Sequence, residues 1–210
     1  MAGPKTATTK VQAPAVARGA RKKPKLTRQT ILDAAMKIAD SKGQDALSMR
    51  QLGKALGVEA MSLYHYFRSR DDIIDGIVEH VINEITSAAY KGIRPDDTWQ
   101  QKARAYITAY RTVGNRHPDA FKLMIQRPLR TASARKAGQV IVDAFLSSGI
   151  DDQQAIIAYR TMTTFVAGFV ALEVSRLQPS FTTGNFDLEF EKGLDIIIQG
   201  IETCLIEAGT

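Results

Sequence analysis

The chain has 210 residues, of which 44% are hydrophobic, with a single cysteine and a formal net charge of +6. This length is enough for one or two domains with a buried core, whereas one cysteine excludes an internal disulfide and a metal site made of several cysteines. The longest apolar stretch, Thr163 to Val174, is well short of the roughly 20 residues that span a bilayer, so we expect a cytoplasmic protein and not a membrane protein.

The excess positive charge lies at the N-terminus. Residues 1–26 contain seven basic and no acidic residues, which leaves −1 on the remainder (+6 minus +7). Three prolines and many Ala and Thr residues leave no apolar face, so this segment is predicted to be a disordered basic arm. Three roles are open: contact with DNA phosphates, a solvated leader, or an organelle transit peptide, although prolines interrupt the amphipathic helix of the last. We favour the first.

The first predicted helix spans Thr27 to Lys42 and ends at Gly43. Ile31, Ala35 and Ile38 recur at helical spacing and form an apolar face, and Thr27 has the side chain of an N-cap. The segment therefore predicts an amphipathic helix that supports whatever follows it.

A helix-turn-helix pattern comes next. Ser48 can cap a short helix that Gly57 ends, and a second helix is predicted from Ala60 to Phe67. The outward positions of the second helix are polar or aromatic: Ser62, Tyr64, His65 and Tyr66. A solvated helix face usually carries Lys, Glu and Gln instead, so this face predicts DNA binding. The alternative is an ordinary helical hairpin within a core.

A further helix is predicted after Ser69. Asp71, Asp72 and Asp75 in its first turns favour the positive end of the helix dipole. An apolar stripe then continues to Ile85, so this helix leads from the DNA-binding region into the rest of the chain.

These segments resemble the N-terminal domain of the tetracycline-repressor (TetR) family of transcriptional regulators, in LTRQTILDAAMKIADSKG and LSMRQLGKALGVEAMSLYHYFRSRDDIIDGI. The resemblance covers Leu26 to about Ile85. It places the family's base-reading and phosphate-binding positions on eight residues: Ser48, Arg50, Ala60, Ser62, Tyr64, His65, Tyr66 and Arg70. All have suitable chemistry except Ala60, which offers only a methyl contact. Met61 can either contact a thymine methyl or cover the start of the helix, and we favour the second role.

Beyond about Tyr90 the chain reads as longer helices separated by polar turns, without β-alternation. The predicted helices span Thr98 to Gly114, Pro118 to Gln126, Thr131 to Ser147, Asp151 to Arg176 and Asp187 to Ala208. We therefore predict an all-α protein. An N-terminal three-helix helix-turn-helix DNA-binding domain (residues 27–75) is followed by a C-terminal helical effector-binding and dimerisation domain (residues 76–210).

Two of the C-terminal helices are too apolar to face water. Small side chains at Thr161, Thr164, Gly168 and Ala171 allow another helix to approach closely, and Ile197 and Ile201 lie on the apolar face of the last helix. The resemblance implies that the last two long helices of two subunits form a four-helix bundle. These six residues are therefore predicted at a homodimer interface, the alternative being internal packing.

The middle helices contain many aromatic residues, most of which we interpret as core. Tyr110, Phe165 and Phe169 are the preferred candidates for an effector cavity, with Glu173 as a polar contact. No metal or cofactor is predicted, because His65, His80 and His117 lie in unrelated places along the chain.

These features predict a homodimeric, ligand-responsive repressor that leaves a palindromic double-stranded DNA operator when a small apolar or aromatic effector binds. A constitutive DNA-binding protein without an effector is the alternative. An enzyme is disfavoured, because no set of nucleophile and base and no glycine-rich phosphate loop is visible.

Overall fold

The computed structural model describes residues 25–127, 132–175 and 183–206. Within these residues there are ten α-helices and no β-strand: α1 (Arg28–Lys42), α2 (Met49–Leu56), α3 (Ala60–Leu63), α4 (Arg70–Gly92), α5 (Trp99–Arg116), α6 (Pro118–Gln126), α7 (Ala132–Ala137), α8 (Gln139–Ser147), α9 (Asp152–Ser175) and α10 (Phe186–Ile201). A 3₁₀ turn (Gln44–Ala46) follows α1, and a π-helical turn (Glu202–Ile206) follows α10. The all-α prediction is confirmed.

Side-chain caps set the starts of the N-terminal helices. The hydroxyls of Thr27, Ser48 and Ser69 accept hydrogen bonds from backbone N–H groups in the first turns of α1, α2 and α4, at 3.1–3.2 Å. Each such cap stabilises its helix by about 1 kcal/mol. The three helices therefore begin where the sequence predicts.

Helix α4 connects the two parts of the molecule. Its buried residues run from Ile73 to Ala89, and it packs against α1 on one side and against α5 and α6 on the other. A Cβ at Gly76 would lie 2.8 Å from Leu32 of α1 and 3.2 Å from the ring of Phe67, so this glycine permits close packing under the helix-turn-helix. The predicted domain boundary between residues 75 and 76 falls inside this helix.

The helix predicted from Thr131 to Ser147 is wrong as a single element. A turn at Gly138 separates α7 from α8, and the ring of Tyr159 occupies the space where a Cβ of residue 138 would lie. A larger residue at position 138 would therefore displace the ring of Tyr159 from this turn. Thr131 itself lies outside the described residues.

Candidate DNA-binding surface and effector cavity

The turn between α2 and α3 depends on two glycines. Gly57 ends α2 in the left-handed conformation (φ 68°, ψ 34°), which L side chains rarely adopt. At Gly53 a Cβ would lie 2.8 Å from the carbonyl oxygen of Val58 and 3.2 Å from the amide nitrogen of Ala60. The absence of a side chain at Gly53 therefore permits the close approach of α2 and the start of α3.

The second helix of the motif is shorter than the predicted Ala60 to Phe67. The α-helix ends at Leu63, and the N–H groups of Tyr66 and Phe67 both donate to the Leu63 carbonyl, at 2.9 and 3.0 Å. Leu63 and Phe67 are fully buried. The chain turns after Leu63 because Phe67 must enter the core just before Ser69 caps α4.

The outward side of this unit is accessible. Tyr64 is 47% exposed, Arg50 and His65 are also exposed, and Ser62 and Ala60 are half-buried. Ser48 and Arg50 border a depression at the start of α2 together with Gln51 and Lys54. Met61 is 73% exposed, so the interpretation that it covers the helix start is wrong.

Arg70 has a different environment from the one predicted. Its Nε donates to the carbonyl oxygen of Leu47 at 2.7 Å, and its Nη2 donates to that of Gln44 at 2.8 Å. The guanidinium therefore binds the backbone at the end of the 3₁₀ turn instead of projecting towards DNA. We correct its predicted phosphate-binding role to a structural one that joins α4 to the segment before α2.

Tyr66 is also engaged within the protein. Its hydroxyl donates to the carbonyl oxygen of Leu26 at 2.9 Å, and its own carbonyl accepts from Nη1 of Arg28 at 2.8 Å. The guanidinium of Arg28 lies 4.1 Å from the centre of the Phe67 ring. The segment before α1 is thus fixed beside residues 60–67, which we call the recognition turn. Residues 1–24 of the predicted basic arm lie outside the described residues.

A cavity of about 360 Å³ lies in the C-terminal part of the molecule. Eleven of the described residues that line it belong to α4, α5, α6, α7 and α9, and the twelfth, Arg127, directly follows α6. They are Ile82, Ile85, Tyr106, Tyr110, Met124, Ile125, Arg127, Ala137, Tyr159, Thr163, Thr164 and Ala167. Of the predicted effector-binding residues, Tyr110 belongs to this lining. Burial, reinforced by Tyr159, raises the pKa of Tyr106 and of Tyr110, so both phenols are neutral O–H groups.

Phe165 and Phe169 do not line the cavity, so their predicted role is wrong. The ring of Phe165 stacks on Phe190 of α10 with a centroid distance of 5.8 Å, and Phe169 meets the same ring at 5.3 Å. Tyr159, Thr163 and Ala167, spaced four residues apart on α9, face the cavity instead. The two phenylalanines therefore join α9 to α10.

Glu173 is likewise engaged elsewhere. Its Oε2 accepts from Nε of Arg111 at 3.0 Å and from Nδ2 of Asn115 at 2.9 Å, and the two charged side chains are only 11% and 15% exposed. Hydrogen bonding to Glu173 raises the pKa of Arg111, which also pairs with Asp187 at 2.7 Å. The predicted polar contact with an effector is thus an ion pair between α5, α9 and α10.

His117 joins the helix-turn-helix region to the C-terminal helices. Its Nδ1 lies 3.6 Å from Asp40 at the end of α1, and its Nε2 lies 3.2 Å from Glu84 of α4. The other carboxylate oxygen of Asp40, Oδ1, is buried without a hydrogen-bond partner among the described residues. Among all residues that the structure describes, no cluster of three or more His, Cys, Asp or Glu side chains is arranged to hold a metal.

The outer face of α9 and α10 is apolar and uncovered in the single chain. Thr161, Thr164 and Gly168 are exposed, and Ala171 and Ile197 are half-buried. Thr164 also borders the cavity, so it lies between the cavity and this face. Ile201 is only 5% exposed and packs into the subunit's own core, so its predicted place at the interface is wrong. Five exposed apolar residues on these helices were not predicted from the sequence: Ile156 (50%), Ile157 (49%), Leu172 (45%), Leu188 (47%) and Ile196 (70%).

Helix α9 also has the length and apolarity of a membrane-spanning helix. Its most apolar window of 18 residues has a mean hydropathy of 1.5, and 28% of that window is buried within the subunit. A helix in the core of a soluble protein can have the same length and apolarity. Its buried residues, among them Met162, Val166 and Val170, pack into the helical core, which accounts for part of the apolar character.

Both halves of the chain match known families. Residues 31–77 match the family of bacterial regulatory proteins called tetR, and residues 103–196 match the tetracyclin repressor-like C-terminal domain. The chain belongs to the TetR family. The resemblance seen in the N-terminal sequence thus extends to the part of the molecule that contains the cavity.

Curated relatives and solved structures agree with this TetR-family assignment. The HTH-type transcriptional repressor DrrR1 of Streptomyces coeruleorubidus is 27% identical over 80% of this chain and 61% of its own length, so the chain spans about three fifths of that relative. The Streptomyces coelicolor protein ActR, solved in complex with (S)-DNPA, is 25% identical with a TM-score of 0.70, covering 85% of this chain and 98% of that one. BioQ, solved with its double-stranded DNA operator, shares the fold at 22% identity, with a TM-score of 0.66 over 85% and 99% of the two chains.

Proposed function

We propose that this chain is a cytoplasmic, ligand-responsive transcriptional repressor that binds a palindromic DNA operator as a homodimer. One observation carries the proposal: the recognition turn buries Leu63 and Phe67 completely while it leaves Tyr64 and His65 exposed. An exposed helix-turn-helix with aromatic and hydrogen-bonding side chains fits the major groove and the adjacent phosphates. The names of DrrR1, a repressor, and of BioQ, solved with its operator, support the same function.

Within this surface the residues have different roles. Arg50 can donate two hydrogen bonds to guanine, whereas Ser62, Tyr64 and His65 can reach phosphates or base edges. The exposed Met61 can contact a thymine methyl. Ser48 caps α2, and its hydroxyl can still donate to a phosphate. Ala60 contributes only a methyl group.

The basic arm begins beside this surface. Since the hydroxyl of Tyr66 holds the carbonyl of Leu26, the arm leaves the domain next to the recognition turn. With seven basic and no acidic residues, we propose that the arm binds DNA phosphates and is not a solvated leader. The structural role of Tyr66 is therefore to set the starting point of the arm.

The dimer is proposed to form through the exposed face of α9 and α10. Small residues at Thr161, Thr164 and Gly168 permit close helix crossing, and Ile196 and Leu172 supply apolar surface. Ile196→Asp tests this face, because a side chain that is 70% exposed can be charged without disturbing the fold of the subunit. Light scattering should show a monomer for this variant and a dimer for the parent. A folded Ile196→Asp dimer would exclude this face.

The effector is proposed to occupy the cavity next to α4. Ile82 and Ile85 line it on the same helix that begins directly after the recognition turn, so a ligand that moves this end of α4 can reposition the DNA-binding surface. A hundredfold loss of DNA affinity requires about 2.7 kcal/mol of coupling between the two sites. The complex of ActR with (S)-DNPA supports a small-molecule effector. Tyr110→Ala should weaken the response to an effector more than Phe169→Ala.

Selection of DNA from a random pool by the purified full chain tests the function. Sequencing should reveal a two-fold symmetric motif whose half-sites lie about one helical turn, roughly 34–36 Å, apart. A panel of small molecules should then include compounds that release the selected duplex. A symmetric motif without any releasing compound would identify a constitutive DNA-binding protein, and the absence of any enriched motif would reject the DNA-binding function.

A further inference from the structure

Arg127 occupies an unusual position between the cavity and the start of α4. It is the residue that follows α6, and it belongs to the lining of the cavity. Its guanidinium points two donors at α4: Nη1 donates to Oδ1 of Asp75 at 2.6 Å, and Nη2 donates to Oδ1 of Asp71 at 2.7 Å. One side chain thus connects the candidate effector site to the first turns of the helix that follows the recognition turn.

The charge distribution around the cavity is one-sided. Arg127 is the only charged residue in the lining described above, and the remaining residues are apolar or carry neutral hydroxyls. The hydroxyl of Tyr110 has no hydrogen-bond partner within residues 25–127, 132–175 and 183–206, and those of Tyr106 and Tyr159 lie 3.4 Å apart. Among the described lining residues, a ligand meets hydroxyl groups and one cation, and none of these residues carries a carboxylate.

The ion pairs that hold Arg127 are exposed. The side chains of Asp71 and Asp75 are 72% and 60% accessible to solvent, whereas that of Arg127 is 30% accessible. Pairs at this exposure shift an equilibrium by only about two- to fivefold, because water and salt screen them. An anion that binds from the more enclosed cavity side can therefore compete with the two aspartates for the guanidinium.

We propose that the effector is an anion with a largely apolar body, and that it acts by drawing Arg127 away from Asp71 and Asp75. A carboxylate or sulfonate would accept from the guanidinium while its apolar part contacts Ile82 and Ile85. Release of Arg127 removes the tie between the end of α6 and α4. It also leaves two unpaired negative charges next to the recognition turn, where they repel DNA phosphates. This inference rests on the proposed effector site and specifies its ligand class.

A matched pair of fluorescent probes tests the ligand class. 8-Anilinonaphthalene-1-sulfonate and N-phenyl-1-naphthylamine share one aromatic body, but only the first is an anion. Because the neutral probe is more apolar overall, the informative quantity is the ratio of the two dissociation constants in each protein variant, measured by fluorescence titration. Arg127→Gln should shift this ratio against the anion by about tenfold, the effect of losing one charged hydrogen-bond partner.

Replacing the two aspartates that bind Arg127 distinguishes competition between anion and aspartates from a purely structural role of Arg127. Asp71→Asn with Asp75→Asn frees Arg127, so the affinity for the sulfonate should rise by about two- to fivefold, while that for the neutral probe stays unchanged. If Arg127 merely supported the cavity, Arg127→Gln and the two aspartate substitutions would both weaken the binding of both probes. Asp75→Asn alone replaces the double variant if the latter fails to fold. Opposite shifts for the two sides of one ion pair support the proposal, and shifts in the same direction overturn it.

A blocked cavity shows where the probes bind. Ala167→Leu places a larger side chain in the cavity lining and should abolish binding of both probes. If both probes bind this variant as they bind the parent, or if neither binds the parent, the proposed effector site fails and this inference fails with it. If both probes bind in the cavity but Arg127→Gln leaves their ratio unchanged, only the anionic class is overturned, and the effector site stands.

Discussion

Replacing Gly53 by Ala should displace the recognition unit from α2. The new Cβ would lie 2.8 Å from the carbonyl oxygen of Val58 and 3.2 Å from the amide nitrogen of Ala60. Both neighbours are backbone atoms, so no side chain can rotate away. Ordinary contact begins at 3.4 Å, so the two segments must separate by up to 0.6 Å (3.4 minus 2.8).

The energetic cost follows from two opposing effects. Overpacking of a close contact destabilises a protein by about 1–3 kcal/mol, whereas Ala in place of Gly inside a helix returns up to about 1 kcal/mol. We therefore expect Gly53→Ala to lower the free energy of unfolding by about 1–2 kcal/mol. The displaced α3 should also bind the selected duplex more weakly than the parent does, because base contacts tolerate little shift.

Urea unfolding followed by circular dichroism, at one fixed protein concentration, measures the first effect, and fluorescence anisotropy with a labelled duplex measures the second. Gly92→Ala is the matched control, since a Cβ at this position in α4 makes an ordinary contact of 3.7 Å with Ala105. The control should be neutral or gain up to about 1 kcal/mol. If Gly53→Ala is as stable as Gly92→Ala and binds DNA like the parent, the close approach of α2 and α3 does not position the recognition turn.

Three further substitutions or deletions test other parts of the account. Arg50→Ala should lose about 1–3 kcal/mol of discrimination between the selected duplex and a variant with an altered guanine, whereas Lys54→Ala should weaken both duplexes equally, as measured by anisotropy. Removal of residues 1–24 keeps Leu26 in place. It should reduce the slope of log K against log salt by about 0.9 for each DNA phosphate that the arm neutralises in the parent complex. An unchanged slope would mean that the arm is a solvated leader. Glu173→Gln should destabilise the fold by about 1–3 kcal/mol in urea unfolding, because Arg111 then keeps only the exposed Asp187 as a charged partner. An unchanged free energy of unfolding would show that the ion pair of Arg111 and Glu173 does not hold α5 to α9.

The features that sequence alone predicts best are local ones. The caps at Thr27, Ser48 and Ser69 and the left-handed Gly57 depend on residues within one or two helical turns, so their signals are complete in the sequence. The end of α3 is different. It depends on the burial of Phe67 beside Gly76, which lies in another helix, so the periodicity of the segment overstates the helix length.

The orientation of α9 was the main source of error in the candidate sites. This helix has neighbours on several sides, so its apolar residues point in different directions and periodicity does not identify the face that meets the cavity. Phe165 and Phe169 were chosen for their aromatic character, yet Tyr159 and Thr163 line the cavity. Ile201 and Ile196 are five residues apart on α10, and only their opposite burial shows which one faces outward.

Long-range polar contacts are the least predictable from the sequence. The family resemblance predicts a DNA-binding role for Arg70, but the carbonyl groups that it contacts lie 23 and 26 residues away in the sequence. Arg127 carries no local signal for its pairing with Asp71 and Asp75, which precede it by 56 and 52 residues. Only the packing of α6 on α4 brings these charges together.

The ratio of two DNA affinities shows whether the protein recognises its operator by base sequence. The purified full chain would be titrated against the selected duplex and against the same duplex with both half-sites scrambled, at one physiological salt concentration. A sequence-specific repressor should bind the selected duplex about a thousandfold more tightly or better. Equal affinity for the two duplexes would contradict sequence-specific repression, because it would mean that the exposed side chains of the recognition turn bind phosphates without reading bases.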